Sequence, residues 1–203
     1  MDPQWHSSLE EVVKKSAEHA QALSWAHEAA QRFCANWNSY LMFPSIILSA
    51  LVGVGSVGAS SVLPFDGSNT LVGLIAIGVS IIQTIRDYYG FARRAEAHRV
   101  SSLQFAKLHS YLSLQLSLPR HERKAALEVI DFLRIETEKL ADVAPLMPQH
   151  VKELFHRKFG SMTDFSMPPL LNGLERVVVS QQDPPQTPVK LVEPVRPVVR
   201  VVV

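Results

Sequence analysis

The chain is poor in cysteine and carries almost no excess charge. Cys34 is the single cysteine among 203 residues, so an internal disulfide framework is excluded. The net charge of +1 gives no global electrostatic signal for nucleic acid, and we expect no nucleic-acid partner. No Lys, Arg, Asp or Glu occurs between Arg32 and Asp66, or between Asp66 and Arg86. Uncharged stretches of this length are typical of membrane spans.

Two apolar runs occupy the uncharged stretches, Leu41–Leu63 and about Thr70–Ile85, and the short segment Pro64–Asn69 joins them. A bilayer core requires about 20 apolar residues of helix, which the first run provides and the second approaches. The runs show no alternation of period two, so they do not indicate strands. We therefore predict a helical hairpin over residues 41–89 that crosses a membrane twice. A hairpin buried in a soluble helical protein and a re-entrant hairpin stay open as alternatives.

Small residues recur at spacings of three and four within both runs. Ser49 and Gly53 are four residues apart, as are Ala76 and Ser80. Small side chains at this spacing let helices in a membrane approach closely, either within the hairpin or between copies in a homo-oligomer. The predicted helix-packing residues are Ser49, Gly53, Gly55, Ala59, Gly73, Ala76 and Ser80.

Aromatic and basic residues flank the hairpin on the side away from its loop. Trp and Tyr favour the membrane–water interface, and Arg favours the cytoplasmic side. The predicted membrane-interface residues are Trp37, Tyr40, Arg86, Tyr88, Tyr89, Arg93 and Arg94. Since the loop carries only Asp66, we expect both termini on the cytoplasmic side or its topological equivalent. The first apolar run follows a charged segment of about 40 residues, so we expect no signal peptide.

Three further segments predict helices with an apolar stripe. Residues 1–40 hold an N-terminal amphipathic helix, with apolar residues from Leu9 to Trp37 close to a 3.5-residue spacing. Tyr88–Ser117 and about Arg120–Ala144 follow the hairpin, and Leu118-Pro119 separates them. These stripes predict a helical bundle formed by residues 90–144 and the first helix. The predicted fold is thus an all-α membrane protein: a two-span transmembrane hairpin, a cytoplasmic helical bundle and an extended C-terminal tail.

Residues 145–160 predict a short basic amphipathic helix, Gln149–Phe159, which Pro148 precedes and Gly160 ends. Its apolar side chains share one face, with basic residues elsewhere. Two placements stay open. The helix lies on an anionic membrane surface, or it docks on the bundle.

Residues 161–203 combine seven prolines with valine-rich pieces, so we predict an extended Pro/Val-rich tail. Extended chain rich in strand-forming residues suits addition to the sheet edge or groove of another protein. An unattached tail is the alternative. The predicted partner-binding residues are Val189, Leu191, Val192, Val195, Val198 and Val199.

The sequence offers no set of residues for catalysis, and we predict no enzyme, no cofactor and no metal site. His121-Glu122 begins like a zinc-protease motif, but Ala125 stands where the second histidine is required. The glycines between Gly53 and Gly58 lie inside an apolar run without the Lys-Ser/Thr of a phosphate-binding loop.

Three features together resemble the SLATT superfamily of two-span membrane modules. They are a long helix with Trp37 and Tyr40 before the first span, a very short loop, and a second span that runs into residues 93–98, with Tyr111 and Leu112 further on. The resemblance covers about Ser16–Leu140. It implies a membrane-embedded effector that forms pores on assembly and has no catalytic residues. The basic helix and the Pro/Val-rich tail depart from that pattern.

Three functions follow as expectations. The favoured one is a structural anchor that binds membrane lipids through the hairpin. Its bundle and tail would bind a protein layer, for example the inner face of a viral capsid. The second is a SLATT-like oligomeric pore-forming effector. The third is a hairpin that shapes or senses curved membranes.

Overall fold

The structure is a computed structural model. It describes residues 5–62 and 68–174, with the backbone alone for residues 57–62 and 68. Every regular element in these ranges is a helix, which confirms the all-α prediction. The elements are α1 (Ser7–Val62), α2 (Ser68–Tyr89), α3 (Phe91–Ser117), a 3₁₀ turn (Arg120–Glu122), α4 (Ala126–Val143), α5 (Gln149–Phe159) and α6 (Pro169–Asn172).

The helix α1 runs without a break for 56 residues, from the bundle through the first apolar run. At 1.5 Å per residue it is about 84 Å long. Pro44 lies inside this helix. On the return path, the predicted helix Tyr88–Ser117 is interrupted at Gly90, whose φ is +57°. A side chain is strained in that conformation, so glycine allows the bend between α2 and α3.

The helices α1, α3 and α4 share one hydrophobic core. Val13 of α1, Leu112 of α3 and Val129 of α4 have no exposed surface. The buried face of α1 combines Val13 of the predicted stripe with His27, which lies outside it, whereas Trp37 at the end of the stripe is 45% exposed. These helices therefore form the bundle that the stripes predict.

The helix α4 begins at Ala126, six residues later than predicted. The Arg123 side chain explains the delay: it donates to the carbonyls of Leu118 (2.8 Å) and Leu116 (3.0 Å) at the end of α3 and to the Glu10 carboxylate at 2.5 Å. Its backbone is extended, with φ −73° and ψ 154°. These contacts hold the segment between α3 and α4 in an extended conformation against the end of α3 and the start of α1, so α4 begins only after Arg123.

The helix α5 docks on α1, which decides between the two placements that the sequence left open. Val151 and Phe155 are each 1% exposed and pack in a second core cluster. The cluster on α1 consists of alanines four residues apart, namely Ala22, Ala26 and Ala30. The apolar face of α5 is therefore covered by protein, and a placement of that face on a lipid surface is wrong.

Residues 161–174 also differ from the prediction, which assigned them to an extended tail. The Ser166 backbone N–H donates to the Glu18 carboxylate at 2.9 Å, and His156 Nε2 donates to the Leu171 carbonyl at 2.8 Å. Leu171 and Pro168 are buried. The chain thus folds back on α1 and α5 as far as residue 174, because Phe165, Met167 and Leu171 complete the second cluster.

Candidate membrane-spanning site

The hairpin formed by the second half of α1 and by α2 leaves a large apolar surface uncovered. Two helical stretches, Ser7–Ser56 and Asn69–Ser117, each contain a segment long and apolar enough to cross a membrane. Only 6% of each segment is buried by the rest of the protein. A core helix of a soluble protein would be mostly buried. The outward-facing side chains with half or more of their surface exposed include Phe43, Ile46, Ile47, Leu51, Val54, Leu74, Ile77 and Ile81.

The two arms of the hairpin contact each other along one narrow stripe. Ser45 of α1 and Val79 of α2 are its most buried members, at 2% and 6% exposure. Gly55 lies against Val72, and a Cβ atom at Gly55 would stand 3.0 Å from the Val72 Cγ2 atom. A glycine is therefore needed at this position for the two arms to approach so closely.

The predicted helix-packing residues divide into two groups. Gly55 lies between the arms, and Ala76 is half-buried. Ser49, Gly53, Gly73 and Ser80 are exposed, and a Cβ atom at Gly53 or Gly73 would meet nothing within 4 Å. The side chain of Ala59 lies outside the described residues. The four exposed residues thus lie on the outer surface of the hairpin, where no other described residue covers them.

Four hydroxyl groups in the hairpin donate hydrogen bonds inside their own helices. Ser45 donates to the Leu41 carbonyl at 2.7 Å, and Ser80 donates to the Ala76 carbonyl at 3.0 Å. Ser56 and Thr84 make bonds of the same kind to Gly53 and Ser80. Because lipid offers no hydrogen-bond partners, these bonds lower the free-energy cost of placing the hydroxyls in a bilayer.

Aromatic rings surround the base of the hairpin, where α1 enters it and α2 leaves it. Trp37 stacks on Phe91 with 6.3 Å between ring centroids, and Tyr89 stacks on Phe91 at 5.4 Å. Tyr40 and Tyr88 are 70% and 82% exposed. The predicted interface aromatics of the two arms therefore lie together at the base of the hairpin and form one group around Phe91. Phe91 itself was not among the residues predicted for the interface.

Basic residues occupy the same level. Arg86 lies 3.4 Å from the Asp87 carboxylate, while Arg93 and Arg94 are exposed. No carboxylate lies within salt-bridge distance of Arg93 or Arg94 in the ranges 5–56 and 69–174, where side chains are described. Arg93 also packs near Gly90, with its Nη2 atom 3.3 Å from a Cβ position there. Two guanidinium groups thus project from the bend beside the aromatic ring group.

Below this level, the α1–α3 contact contains polar side chains that sequence reasoning also missed. His27 Nδ1 and His98 Nδ1 are 2.9 Å apart, and both rings are buried. Ser24 and Ser102 exchange hydrogen bonds, each hydroxyl donating to the backbone carbonyl of the other at 3.0 Å. The sequence held a signal for the histidines, since His27 stands seven residues after Ala20 and His98 seven before Phe105, in register with the buried stripes.

Burial and charge shift the pKa values of groups in this contact. Burial, followed by the neighbouring His98, lowers the pKa of His27 to about 4. Burial, followed by the positive charge of Arg94, lowers the pKa of His98. Burial raises the pKa of the Cys34 thiol, while Arg94 acts in the opposite direction. Neutral side chains are therefore favoured throughout this part of the α1–α3 contact.

Within the described ranges, no group of three His, Cys, Asp or Glu side chains comes together in a way that could hold a metal ion. The absence of a cofactor and of catalytic residues stays a prediction from the sequence. The predicted partner-binding residues between Val189 and Val199 lie outside the described residues.

Comparison with known proteins found no match: no family model, no curated protein and no solved structure resembles this chain to a significant degree. The resemblance to the SLATT superfamily therefore has no support beyond the residues that suggested it.

Proposed function

We propose that this chain is an integral membrane anchor without enzymatic activity. Its hairpin crosses the bilayer twice, and its helical bundle stands at one membrane surface. The uncovered apolar surface of the hairpin carries this proposal, because large apolar side chains with half or more of their surface exposed follow one another along both arms. Soluble monomers rarely expose contiguous apolar patches of more than a few hundred Å². Water would have to hydrate this surface, whereas lipid would cover it at no such cost.

The charge pattern supports an orientation with both termini on the cytoplasmic side or its topological equivalent. Arg86, Arg93 and Arg94 stand at the base of the hairpin, and the connecting loop carries only Asp66. Arginine is retained on the cytoplasmic side when short loops are inserted. The aromatic rings around Phe91 lie beside these arginines at the base of the hairpin. Because Trp and Tyr favour the membrane–water interface, the rings also support a membrane surface at this position.

In this proposal the bundle and the tail bind a protein partner, such as a scaffold or the inner face of a viral capsid. The valine-rich segment that contains Val189 and Val199 supplies the contact by adding to a sheet edge or a groove. The bundle supplies a rigid support, because α3, α4 and α5 are all packed on α1 below the hairpin.

A deletion of Pro184–Val203 tests the partner function. The truncated chain should remain in the membrane fraction after alkaline extraction but lose the protein that the full chain captures. A control chain carries a Gly/Ser sequence of the same length in place of these residues and should behave like the deletion. Unchanged capture by either variant would contradict the role of the tail.

A second candidate function is an oligomeric pore-forming effector of the SLATT-like kind. The exposed small residues favour it, because Gly73 and Ser80 present an open surface that another copy could contact closely. Gly73→Leu should then abolish both the oligomer and the leakage of dye from liposomes. Gly78→Leu is the matched control, since Gly78 lies about 140° around the same helix from Gly73. Liposomes that stay sealed with the wild-type chain would remove this candidate.

A further inference from the structure

The pair formed by His27 of α1 and His98 of α3 lies in the bundle, on the side of the hairpin where both arms enter it. His27 is 0% exposed and His98 is 2% exposed. Phe105 stacks on the His27 ring, with 5.5 Å between centroids and 14° between planes. The pair thus forms part of the packed contact between the two longest helices, not a surface feature.

The neutral pair can satisfy only part of its hydrogen-bonding capacity. With 2.9 Å between the two Nδ1 atoms, one Nδ1 carries a proton and donates it, and the other accepts. His27 Nε2 is buried and has no hydrogen-bond partner among the described residues. In an imidazolium form of His27 both ring nitrogens carry protons, so whichever neutral tautomer was present, Nε2–H is then a buried, charged donor without an acceptor. Such a group costs considerably more than a neutral unpaired nitrogen.

Protonation of His98 is opposed by a different group. Arg94 lies one turn before His98 on α3 and places a positive charge beside it. If both imidazoles are protonated, the two Nδ1–H groups face each other and the hydrogen bond between them is lost. Each way of adding a proton therefore weakens the contact between α1 and α3.

The carboxylates next to the pair in sequence, Glu28 and Glu96, are exposed and form ion pairs with Arg32 and Arg99. On α1, the buried Cys34 is near Arg94, and burial raises the pKa of its thiol. Met147 and Val151 of α5 belong to the cluster that contains Ala26, next to His27 on α1, and both are apolar. No carboxylate lies within 4 Å of either imidazole in the part of the chain that the structure describes.

We propose that His27 and His98 form a pH-sensitive contact that holds α1 against α3 at neutral pH and lets them separate in acid. Acid favours the separated form because the histidines bind protons more tightly when they are exposed than when they are packed. Both histidines have a lowered pKa in the packed bundle and an ordinary one, near 6.5, when they are exposed. Open forms therefore bind protons that the packed form does not, and acid favours them. This inference concerns the bundle and does not depend on whether the hairpin crosses a membrane.

The opening should follow a definite pH range. Between pH 6.5 and about 4, His27 alone raises the ratio of open to packed protein about tenfold per pH unit. The total is up to about 300-fold over this range, and protonation of His98 adds to it. Above pH 6.5 the contact should be insensitive to pH.

Spin-label distance measurements on the full chain in lipid nanodiscs test the proposal. Labels at Glu28→Cys and Arg99→Cys, in a Cys34→Ser background, report on the α1–α3 separation, because both positions are exposed beside the pair. We expect one narrow distance distribution at pH 7 and a broader, longer one below pH 5, and return to pH 7 should restore the first. A wild-type distribution unchanged down to pH 4 would overturn the proposal.

Two variants and a control separate the histidine pair from general acid effects. His27→Phe with His98→Leu keeps an aromatic ring on Phe105 and removes both titrating groups, so the distance should stay narrow to pH 4. Should that variant already be open at pH 7, His27→Gln decides. Its amide offers both a donor and an acceptor to His98 Nδ1, and its acid response should be weaker than that of wild type. His109→Gln keeps the bond to the Ala17 carbonyl and should respond like wild type. Equal responses in wild type and His27→Gln would overturn the proposal.

Discussion

At the scale of single residues, two glycines of α1 that the sequence pattern treats alike have different surroundings. Gly55 is pressed against Val72 of α2, whereas Gly53 faces open space. Both belong to small-residue repeats, and helix periodicity alone does not reveal which face meets the other arm. The distinction depends on how the two arms cross, which is a property of their tertiary packing.

We predict that Gly55→Leu destabilises the hairpin by about 1–3 kcal/mol, because the new side chain must push Val72 and α2 away. The free energy of unfolding in mixed micelles, titrated with SDS, measures the change. Gly53→Leu is the matched control and should change this free energy little. Equal losses for the two variants would contradict the assigned contact.

A second residue-scale prediction concerns Glu10, which accepts hydrogen bonds from Arg120 and Arg123. These bonds lower the pKa of its carboxyl to about 2 from the usual 4.5. Because the folded protein favours the ionised carboxylate more than the unfolded chain does, ionised Glu10 stabilises the fold above pH 4.5. This contribution to stability is lost as the pH falls from about 4.5 to 2. Glu10→Gln should therefore be less stable than wild type at pH 7 and lose less stability over that range.

Thermal unfolding of the bundle between pH 7 and pH 2 measures this difference. Glu11→Gln, which removes the neighbouring exposed carboxylate, serves as the control and should keep the wild-type pH profile. The Glu10 range lies below the range expected for His27, so the two acid effects can be distinguished. Parallel profiles of wild type and Glu10→Gln would show that Glu10 does not titrate as its contacts imply.

At the scale of elements, periodicity and turn residues predicted the helices α1 to α5 but not all of their ends, and they did not predict α6. Pro148 and Gly160 bracket α5 as predicted, because each acts through its own backbone. The start of α4 was wrong by six residues, since the long-range bonds of Arg123 occupy the segment before it. Contacts between residues far apart in sequence leave no periodic pattern that could have shown this.

The docking of α5 and the fold of residues 161–174 illustrate the same limit. The alanines Ala22, Ala26 and Ala30 recur every four residues, which is a signal for a second contact face on α1. Sequence reasoning used only one stripe of α1 and so left the position of α5 open. Prolines in the following segment suggested extended chain, although Pro168 and Leu171 are buried against this face.

We predict that Phe155→Ala costs about 3–5 kcal/mol in the docking of α5, because Phe155 is 1% exposed and touches Trp25 and Phe159. Hydrogen exchange over residues 149–159 should become fast while α3 stays protected. Leu154→Ala, on the same helix but 41% exposed, is the control and should leave exchange nearly unchanged. Continued protection in Phe155→Ala would contradict the second core cluster.

The exposed faces of the hairpin allow a matched test of their environment. Ile77 is 60% exposed on α2, and Leu127 is 56% exposed on α4. Ile77→Arg should reduce membrane insertion, because an arginine near the middle of a span costs about 2.5–3.5 kcal/mol. Leu127→Arg makes the same kind of change outside the hairpin and should leave insertion intact. Resistance to alkaline extraction measures both, and equal retention would argue against lipid around Ile77.

At the scale of the whole molecule, a bundle of packed helices continues into two uncovered apolar arms, through the unbroken α1 on one side and across Gly90 on the other. The absence of charge over residues 33–65 and 67–85 was sufficient to predict the arms, since a span is defined by its own composition. The histidine pair was not predicted, because its members are 71 residues apart and meet only through the α1–α3 contact. Composition thus identifies the environment of an element, while pairings between elements require the fold.

The central claim is that the hairpin crosses the bilayer twice, and side-specific labelling tests it most directly. Single cysteines at Asn69, beside the loop, and at Lys107, on α3, are introduced into a Cys34→Ser chain in sealed membrane vesicles of known orientation. Both positions are exposed in the structure. A membrane-impermeant thiol reagent should reach Asn69→Cys only from the non-cytoplasmic side and Lys107→Cys only from the cytoplasmic side. Labelling of both positions from the same side would contradict the two-span hairpin.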